Sequence, residues 1–186
     1  MDALKEALTQ RFRQPLAWGS GNTKNGIVLI ADAPGMNEAE TGKAFIGASG
    51  KFLDELLASV NLGREDIYLT NVVKFRPSNR DPNKVEIAAF WPYLLSELQM
   101  LQPKVVVTLG RIGLNCFLPE FKISQVHGQP FKMTLEGINF MLLPLYHPAA
   151  ALHNGHMRPI LKEDFLVLGA IIETLFDDSF AFGMMV

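Results

Sequence analysis

Three side chains able to manage a proton or a hydrogen-bonded ligand follow short β-branched runs. Asp32 lies in Ala31-Asp32-Ala33-Pro34-Gly35, after Gly26-Ile27-Val28-Leu29-Ile30. Asn71 follows Ile67-Tyr68-Leu69-Thr70, and His147 lies in Tyr146-His147-Pro148, after Phe140 to Leu143. A fourth such point is Leu109-Gly110, after Val105-Val106-Val107-Thr108. A carboxylate can hold a water or a proton, an amide offers one donor and one acceptor surface, and an imidazole can donate to a developing negative charge. Open α/β sheets bind ligands beyond the carboxyl ends of their strands, so these four points define one candidate site. For His147 taken alone, the competing reading is a structural histidine in a turn set by Pro148.

Other chemistries fit less well. Gly19-Ser20-Gly21 precedes the first strand, so it is no dinucleotide fingerprint, and Gly42-Lys43 and Gly50-Lys51 lack the rest of a P-loop. Gly47-Ala48-Ser49-Gly50 leads into a helix; it reads as an ordinary N-cap or as a seat for one phosphate, and spacing alone favours the cap. His147, His153 and His156 are close in sequence, but no carboxylate stands at ligand spacing on a helix, and no metal is expected. Cys116 lies between Leu114 and Phe117 and reads as a core thiol. Between Lys74 and Lys84, Lys74, Arg76, Arg80 and Lys84 face only Asp81 in sequence, which makes either a solvated loop or an anion-facing edge.

The elements that must position these residues follow from periodicity. Residues 2–13 (Leu4, Leu8, Phe12) have helical spacing. Strands are expected at Gly26–Ile30, Ile67–Thr70, Val105–Thr108 and Phe140–Leu143, the last as the second arm of a hairpin that begins at Phe131 and turns at Glu136-Gly137. Helices are expected from Ser49 or Gly50 through Val60, at Val85–Leu101, from Gly110, and at Ile160–Phe176. Ala31–Gly50, Asn71–Asn83 and Tyr146–Met157 read as loops. This rhythm predicts a three-layer α/β/α fold around a largely parallel four-stranded sheet, as one domain over residues 1–178 with a short apolar tail, 179–186.

Composition bounds what such a domain can do. Of its 186 residues, 48% are hydrophobic and 19% charged, enough for a packed core. Its 17 basic and 19 acidic residues give a net charge of −2, so nucleic acid could be held only by cations gathered on one face. The single cysteine excludes an internal disulfide, a multi-cysteine zinc site and a four-thiolate iron–sulfur cluster. Met1 to Phe12 carries Asp2, Lys5, Glu6 and Arg11 and lacks the apolar core of a signal peptide, and no apolar run approaches a membrane span. A cytoplasmic monomer without cofactor is the expectation.

Taken in order, these segments resemble the uracil-DNA glycosylase superfamily, and within it family 4, the iron–sulfur type. The resemblance is carried by Ala31-Asp32-Ala33-Pro34-Gly35, Glu38 and Gly42-Lys43-Ala44-Phe45-Ile46-Gly47. It continues in Thr70-Asn71-Val72-Val73-Lys74 with Arg76-Pro77 and Asn79-Arg80, then Pro103-Lys104-Val105-Val106-Val107 with Leu109-Gly110, and ends in His147-Pro148-Ala149-Ala150. It spans roughly residues 26 to 170. Two departures stand out. The four cluster cysteines of family 4 correspond to about Arg11 and Gln14, to Phe75 and to Phe90, where apolar packing is expected instead. Asp32 stands where the family usually has glutamate, and Ala31 replaces the glycine before it.

The resemblance implies a site for a nucleotide flipped out of DNA. Phe45 would stack on uracil, and Asn71 would hydrogen-bond its edge. His147 would donate to O2 as charge builds on the leaving base. Backbone groups at Asp32 and Ala33 would contact the base or sugar. Gly47, Ser49, Lys74, Arg76 and Arg80 would meet phosphates. Pro148, Ala149 and Leu152 would press into the minor groove, with Leu152 as wedge. Ala33 occupies the place of the water-positioning aspartate of the best-known members, so Asp32 or Glu38 would orient the water. Alternatives are a catalytically weak or inactive module of the same fold that binds DNA or a damaged base, and a glycosylase for hypoxanthine, xanthine or mismatched thymine. A small-molecule hydrolase lacks a nucleophile elbow and ranks last.

Overall fold

The computed structural model describes residues 2–42, 45–78 and 80–176, without the side chains of Asp2, Leu4 and Phe176. Lys43, Ala44, Asn79, the expected domain end at residue 178 and the tail 179–186 lie outside the described residues.

In chain order the elements are α1 (Asp2–Phe12), β1 (Ser20–Gly21), β2 (Ile27–Ala31), α2 (Met36–Thr41), α3 (Ala48–Ala58), β3 (Tyr68–Asn71), α4 (Lys84–Leu101) and β4 (Val105–Leu109). They continue with α5 (Arg111–Phe117), α6 (Ile123–Val126), β5 (Phe131–Leu135), β6 (Ile138–Leu145), α7 (Ala150–His153) and α8 (Met157–Phe176). A 3₁₀ turn, Arg64–Asp66, precedes β3.

The sheet order is β1-β3-β2-β4-β6-β5. The four expected strands, β3, β2, β4 and β6, form its parallel centre. The sheet has six strands rather than four because an antiparallel strand closes each edge: β1 on β3 and β5 on β6. β1 falls within Gly19-Ser20-Gly21, and its two residues are too few for a periodic signal. β5 and β6 meet at Glu136-Gly137, both with positive φ (48° and 79°). That is the turn whose twist matches a two-residue hairpin. Two expected loops also contain short helices, α2 and α7, each shorter than the window over which helical periodicity is legible.

Alternation along the buried strands sends side chains to two cores. Val28, Ile30, Val106 and Leu142 pack under α1, α4 and α5, with Leu8, Phe90, Tyr93, Leu94 and Leu114. Ile27, Leu29, Val105, Val107 and Leu143 pack under α3 and α8, with Phe52, Leu56, Leu161 and Phe165. Helix α4 starts at a capping box. In it Asn83 Oδ1 accepts from the Glu86 amide at 3.0 Å, and Glu86 Oε2 accepts from the Asn83 amide at 2.8 Å. Phe12 of α1 packs on Phe75, with 4.9 Å between centroids, and on Phe90 at 4.7 Å. Phe75 and Phe90 stack at 5.8 Å. Among the described residues no helix is long and apolar enough to cross a membrane.

After the edge strand β1, the chain enters the parallel centre at β2, runs outward to β3, then crosses back to β4 on the other side. The strand order therefore reverses between β2 and β4, which places a crevice at their carboxyl ends.

Candidate active site

A cleft of about 600 Å³ opens at that crevice. Its lining includes Asp32, Ala33 and Gly35 after β2, Glu38 of α2, Phe45 and Ser49, Asn71 at the end of β3, Arg76 and Arg80 of the loop after β3, and His147 and Ala149 after β6. The parallel strands end at one edge of the sheet, and residues far apart in sequence, such as Asp32 and His147, thereby share one cavity.

His147 and Phe45 lie nearly parallel, with ring centroids 5.8 Å apart and planes 19° from one another. The Ala149 amide donates to His147 Nδ1 at 3.1 Å. An imidazole that accepts at Nδ1 carries its proton on Nε2, so the ring is a neutral donor. Burial lowers its pKa to about 4, with Glu38 acting weakly the other way. The ring is accordingly neutral at physiological pH, and its stabilising contribution, complete above pH 6.5, is lost as the pH falls through about 4.

Asn71 is buried at the wall of the cleft, paired with Ala31 across β2 and β3. Its backbone carbonyl accepts from Lys74 Nζ at 2.7 Å. Its side-chain amide hydrogen-bonds no other described residue, which leaves a donor and an acceptor available at the cleft.

Asp32 Oδ1 accepts from the Gly113 amide at 2.9 Å, in the first turn of α5. The backbone of Gly110 (φ 103°) passes so close to this carboxylate that a Cβ there would overlap Oδ2. Only glycine takes that conformation easily. Burial raises the Asp32 pKa to about 6; the Gly113 hydrogen bond opposes this shift, and the Asp81 charge adds to it. Asp81, also in the cleft, pairs with Arg111.

Phe45 is held in a left-handed conformation, with φ 53°. Such a backbone costs a non-glycine residue about 1–3 kcal/mol. Two groups brace this turn. Glu38, buried beneath it, accepts from the Gly47 amide at 3.1 Å. Arg64 Nη2 donates to the Phe45 carbonyl at 2.5 Å and to the Gly50 carbonyl at 3.3 Å, and the same guanidinium pairs with Asp54. Arg64 escaped the sequence reading because it lies 19 residues from Phe45, and no local pattern links the two.

The structure separates the residues expected to meet phosphates. Lys74 is a correction: its side chain is completely buried and cannot reach DNA. Its Nζ binds Glu97 Oε2 (2.7 Å) and Thr70 Oγ1 (2.5 Å), and Glu97 also accepts from the Tyr68 hydroxyl (3.0 Å). An ammonium buried in this way needs the carboxylate that α4 supplies. Gly47 lies beside the cleft with its amide engaged by Glu38. Ser49, Arg76 and Arg80 stand at the cleft, Arg80 in a two-pronged ion pair with Glu86. Pro148 is buried next to His147, and Leu152 is exposed on α7. Cys116 is half-buried, and burial pushes its thiol up to about 12, which agrees with a core residue rather than a nucleophile.

The uracil DNA glycosylase superfamily model matches residues 18–167. The chain belongs to this superfamily. The type-4 uracil-DNA glycosylase of Archaeoglobus fulgidus is 41% identical over 169 residues, covering 86% of this chain and 85% of that protein. The type-4 uracil-DNA glycosylase of Saccharolobus solfataricus is 40% identical over 162 residues, covering 83% of this chain and 75% of that protein. A DNA polymerase of Bacillus phage SP01 is 28% identical over 175 residues, which are 93% of this chain and 18% of the polymerase. The residues present do not fit a four-thiolate iron–sulfur cluster. Phe75 and Phe90, which the resemblance sets against two of the cluster cysteines, stack on one another and on Phe12. A single cysteine, on α5, cannot ligate such a group.

Proposed function

We propose that this chain is a monofunctional DNA glycosylase that hydrolyses the N-glycosidic bond of uracil flipped out of DNA. The observation that carries the reading is the convergence, in one cleft, of the neutral His147 ring, the parallel Phe45 ring and the unpartnered Asn71 amide. Phe45 offers the face on which the base stacks. Asn71 meets both an acceptor and an N–H on the uracil edge, and cytosine presents the wrong pattern there. As the bond between N1 and C1′ breaks, its electron pair goes to the base and charge gathers on O2. His147 Nε2–H stabilises that oxyanion without giving up its proton. Water supplies the oxygen that bonds C1′, and the proton it loses balances the charge of the departing base.

Asp32 is the group best suited to orient this water. Glu38 is engaged with the Gly47 amide, whereas Asp32 has one oxygen anchored on Gly113 and lines the same cleft. Its carboxylate form is required for the task, and its pKa is near 6. The excision rate is therefore expected to be level above about pH 7 and to fall about tenfold per unit below about pH 6. Asp32→Asn removes that acid limb and leaves a low, flat profile, which single-turnover rates between about pH 5 and 8 would show. The sign for stability is opposite. An acid whose folded pKa is raised disfavours the fold when charged, so Asp32→Asn is expected to match or exceed the parent in thermal stability at about pH 8.

In this reading Arg76, Arg80 and Ser49, which line the cleft, meet phosphates, and exposed Leu152 presses between bases once the uracil has left the stack. The chain acts as a cytoplasmic monomer on DNA, without a cofactor. The test is excision from an oligonucleotide with one uracil, single-stranded and opposite guanine, under single turnover. Strand scission at the resulting abasic site after hot-alkali treatment is the expected result. DNA bound without excision at high protein concentration overturns the enzyme reading in favour of a binding module.

A further inference from the structure

We infer that Arg64 is a positioning residue for base capture, holding Phe45 in its stacking pose from outside the cleft. This inference rests on the glycosylase reading above. Arg64 lies on the 3₁₀ turn before β3 and is not part of the cleft lining. One of its nitrogens, Nη2, nevertheless bridges the carbonyls of Phe45 and Gly50, the two ends of the turn that presents the ring. Asp54, on α3, holds the guanidinium through Nε (2.6 Å) and Nη2 (3.2 Å) and sets the angle of the fork.

Three features make the turn depend on this brace. Phe45 has positive φ, a conformation its side chain disfavours and that the surroundings must impose. Gly50 passes against the Phe45 carbonyl so closely that any side chain there would overlap the oxygen, so the carbonyl has one place to go. Phe45 also forms the stack with His147, so a shift of the Phe45 backbone disturbs the donor's partner as well as the base platform. The ion pair itself is partly exposed, with the Arg64 and Asp54 side chains 36% and 48% accessible. An exposed pair of this kind contributes little to global stability. The function of the pair is local: it converts a fixed helix, α3, into a fixed ring position.

Lysine cannot replace arginine in this role. A single ammonium cannot meet the carboxylate and both carbonyls in the planar fork geometry. Arg64→Ala and Arg64→Lys are therefore expected to slow single-turnover excision by about 10- to 100-fold, the scale on which small misplacements near a reacting group act. Inhibition by free uracil, which reports the base pocket without any contact to the DNA backbone, should weaken in parallel. Affinity for an oligonucleotide with an abasic analogue, which has no base to stack, should stay within about twofold. A role in general stability would lower all three together, and a role in phosphate attraction would lower abasic-DNA binding first.

Rates within about twofold of the parent in both Arg64 variants would overturn the inference, as would an equal loss of abasic-DNA affinity. Asp54→Asn provides a second route that leaves Arg64 in place: a smaller loss with the same split is expected, and an unchanged rate counts against the brace. Amide exchange separates this inference from the glycosylase reading. Whether or not the parent excises uracil, the Gly47 and Gly50 amides, bonded to Glu38 and Gly47 respectively, should exchange faster in Arg64→Ala; unchanged protection overturns the inference.

Discussion

His147→Ala is expected to slow uracil excision by about 10²–10³-fold, the typical cost of removing one preorganised donor at a developing oxyanion. The size follows from the pose of the ring. Nδ1 is engaged by the Ala149 amide, so the proton is held on Nε2 without rearrangement, and burial keeps the ring from taking a second one. A neutral donor is the right form for this task, because an imidazolium would have to be desolvated in the cleft before each turnover. The variant should still bind DNA, since His147 contributes no charge to phosphate attraction at neutral pH. Its rate should keep the acid limb near pH 6 that belongs to Asp32, at a lower plateau. Glu38→Gln, by contrast, keeps an oxygen for the Gly47 amide and should cost far less; an equal loss in the two variants would show that leaving-group stabilisation is not what His147 provides. The measurement is a single-turnover time course for each variant with binding followed separately.

The second large effect is on stability. Glu97→Ala should destabilise the fold by about 3–5 kcal/mol, the range for removing one partner of a buried ion pair. The Lys74 ammonium would remain fully enclosed, and the Tyr68 and Thr70 hydroxyls would lose their acceptor in the same step. Burial already lowers the Lys74 pKa, and the Glu97 carboxylate is the main influence opposing that shift. Removing both charges together, as Lys74→Met with Glu97→Leu, should recover much of the loss, because neither ion then needs compensation. Denaturant unfolding of the single and double variants beside the parent distinguishes these outcomes. A double variant as unstable as Glu97→Ala would mean that the hydroxyl network, not the ion pair, carries the energy. Because Lys74 also holds the Asn71 carbonyl, the double variant should fold well yet excise uracil poorly.

The same loop shows where sequence reasoning stopped. Lys74 and Arg76 are near neighbours, both basic, both in a polar segment, and spacing treats them alike. The fold sends one under α4 to Glu97 and the other into the cleft. Nothing within several residues of Lys74 announces a carboxylate 23 positions away. Glu38 was legible as a site residue, but its engagement with the Gly47 amide is a contact made across a turn, and Arg64 lies outside every motif that pointed to the cleft. Strand β1 and the helices α2 and α7 escaped for a simpler reason: two, six and four residues give little periodicity to read. The first arm of the hairpin, β5, was legible as a strand, but not its place at the edge of the same sheet.

What the sequence determined by itself was the frame and the position of the site along it. Runs such as Gly26–Ile30 and Val105–Thr108 read as buried strands, and the helices between them call for parallel crossover connections, so Asp32, Asn71 and His147 are expected at one edge of the sheet. These are consequences of local hydrophobic periodicity, which the chain carries within each element. The tertiary structure alone decided the protonation of His147, the anchoring of Asp32 on α5, the brace behind Phe45 and the burial of Lys74. Each of these depends on desolvation and on a partner brought near by folding, and both exist only after the elements have packed.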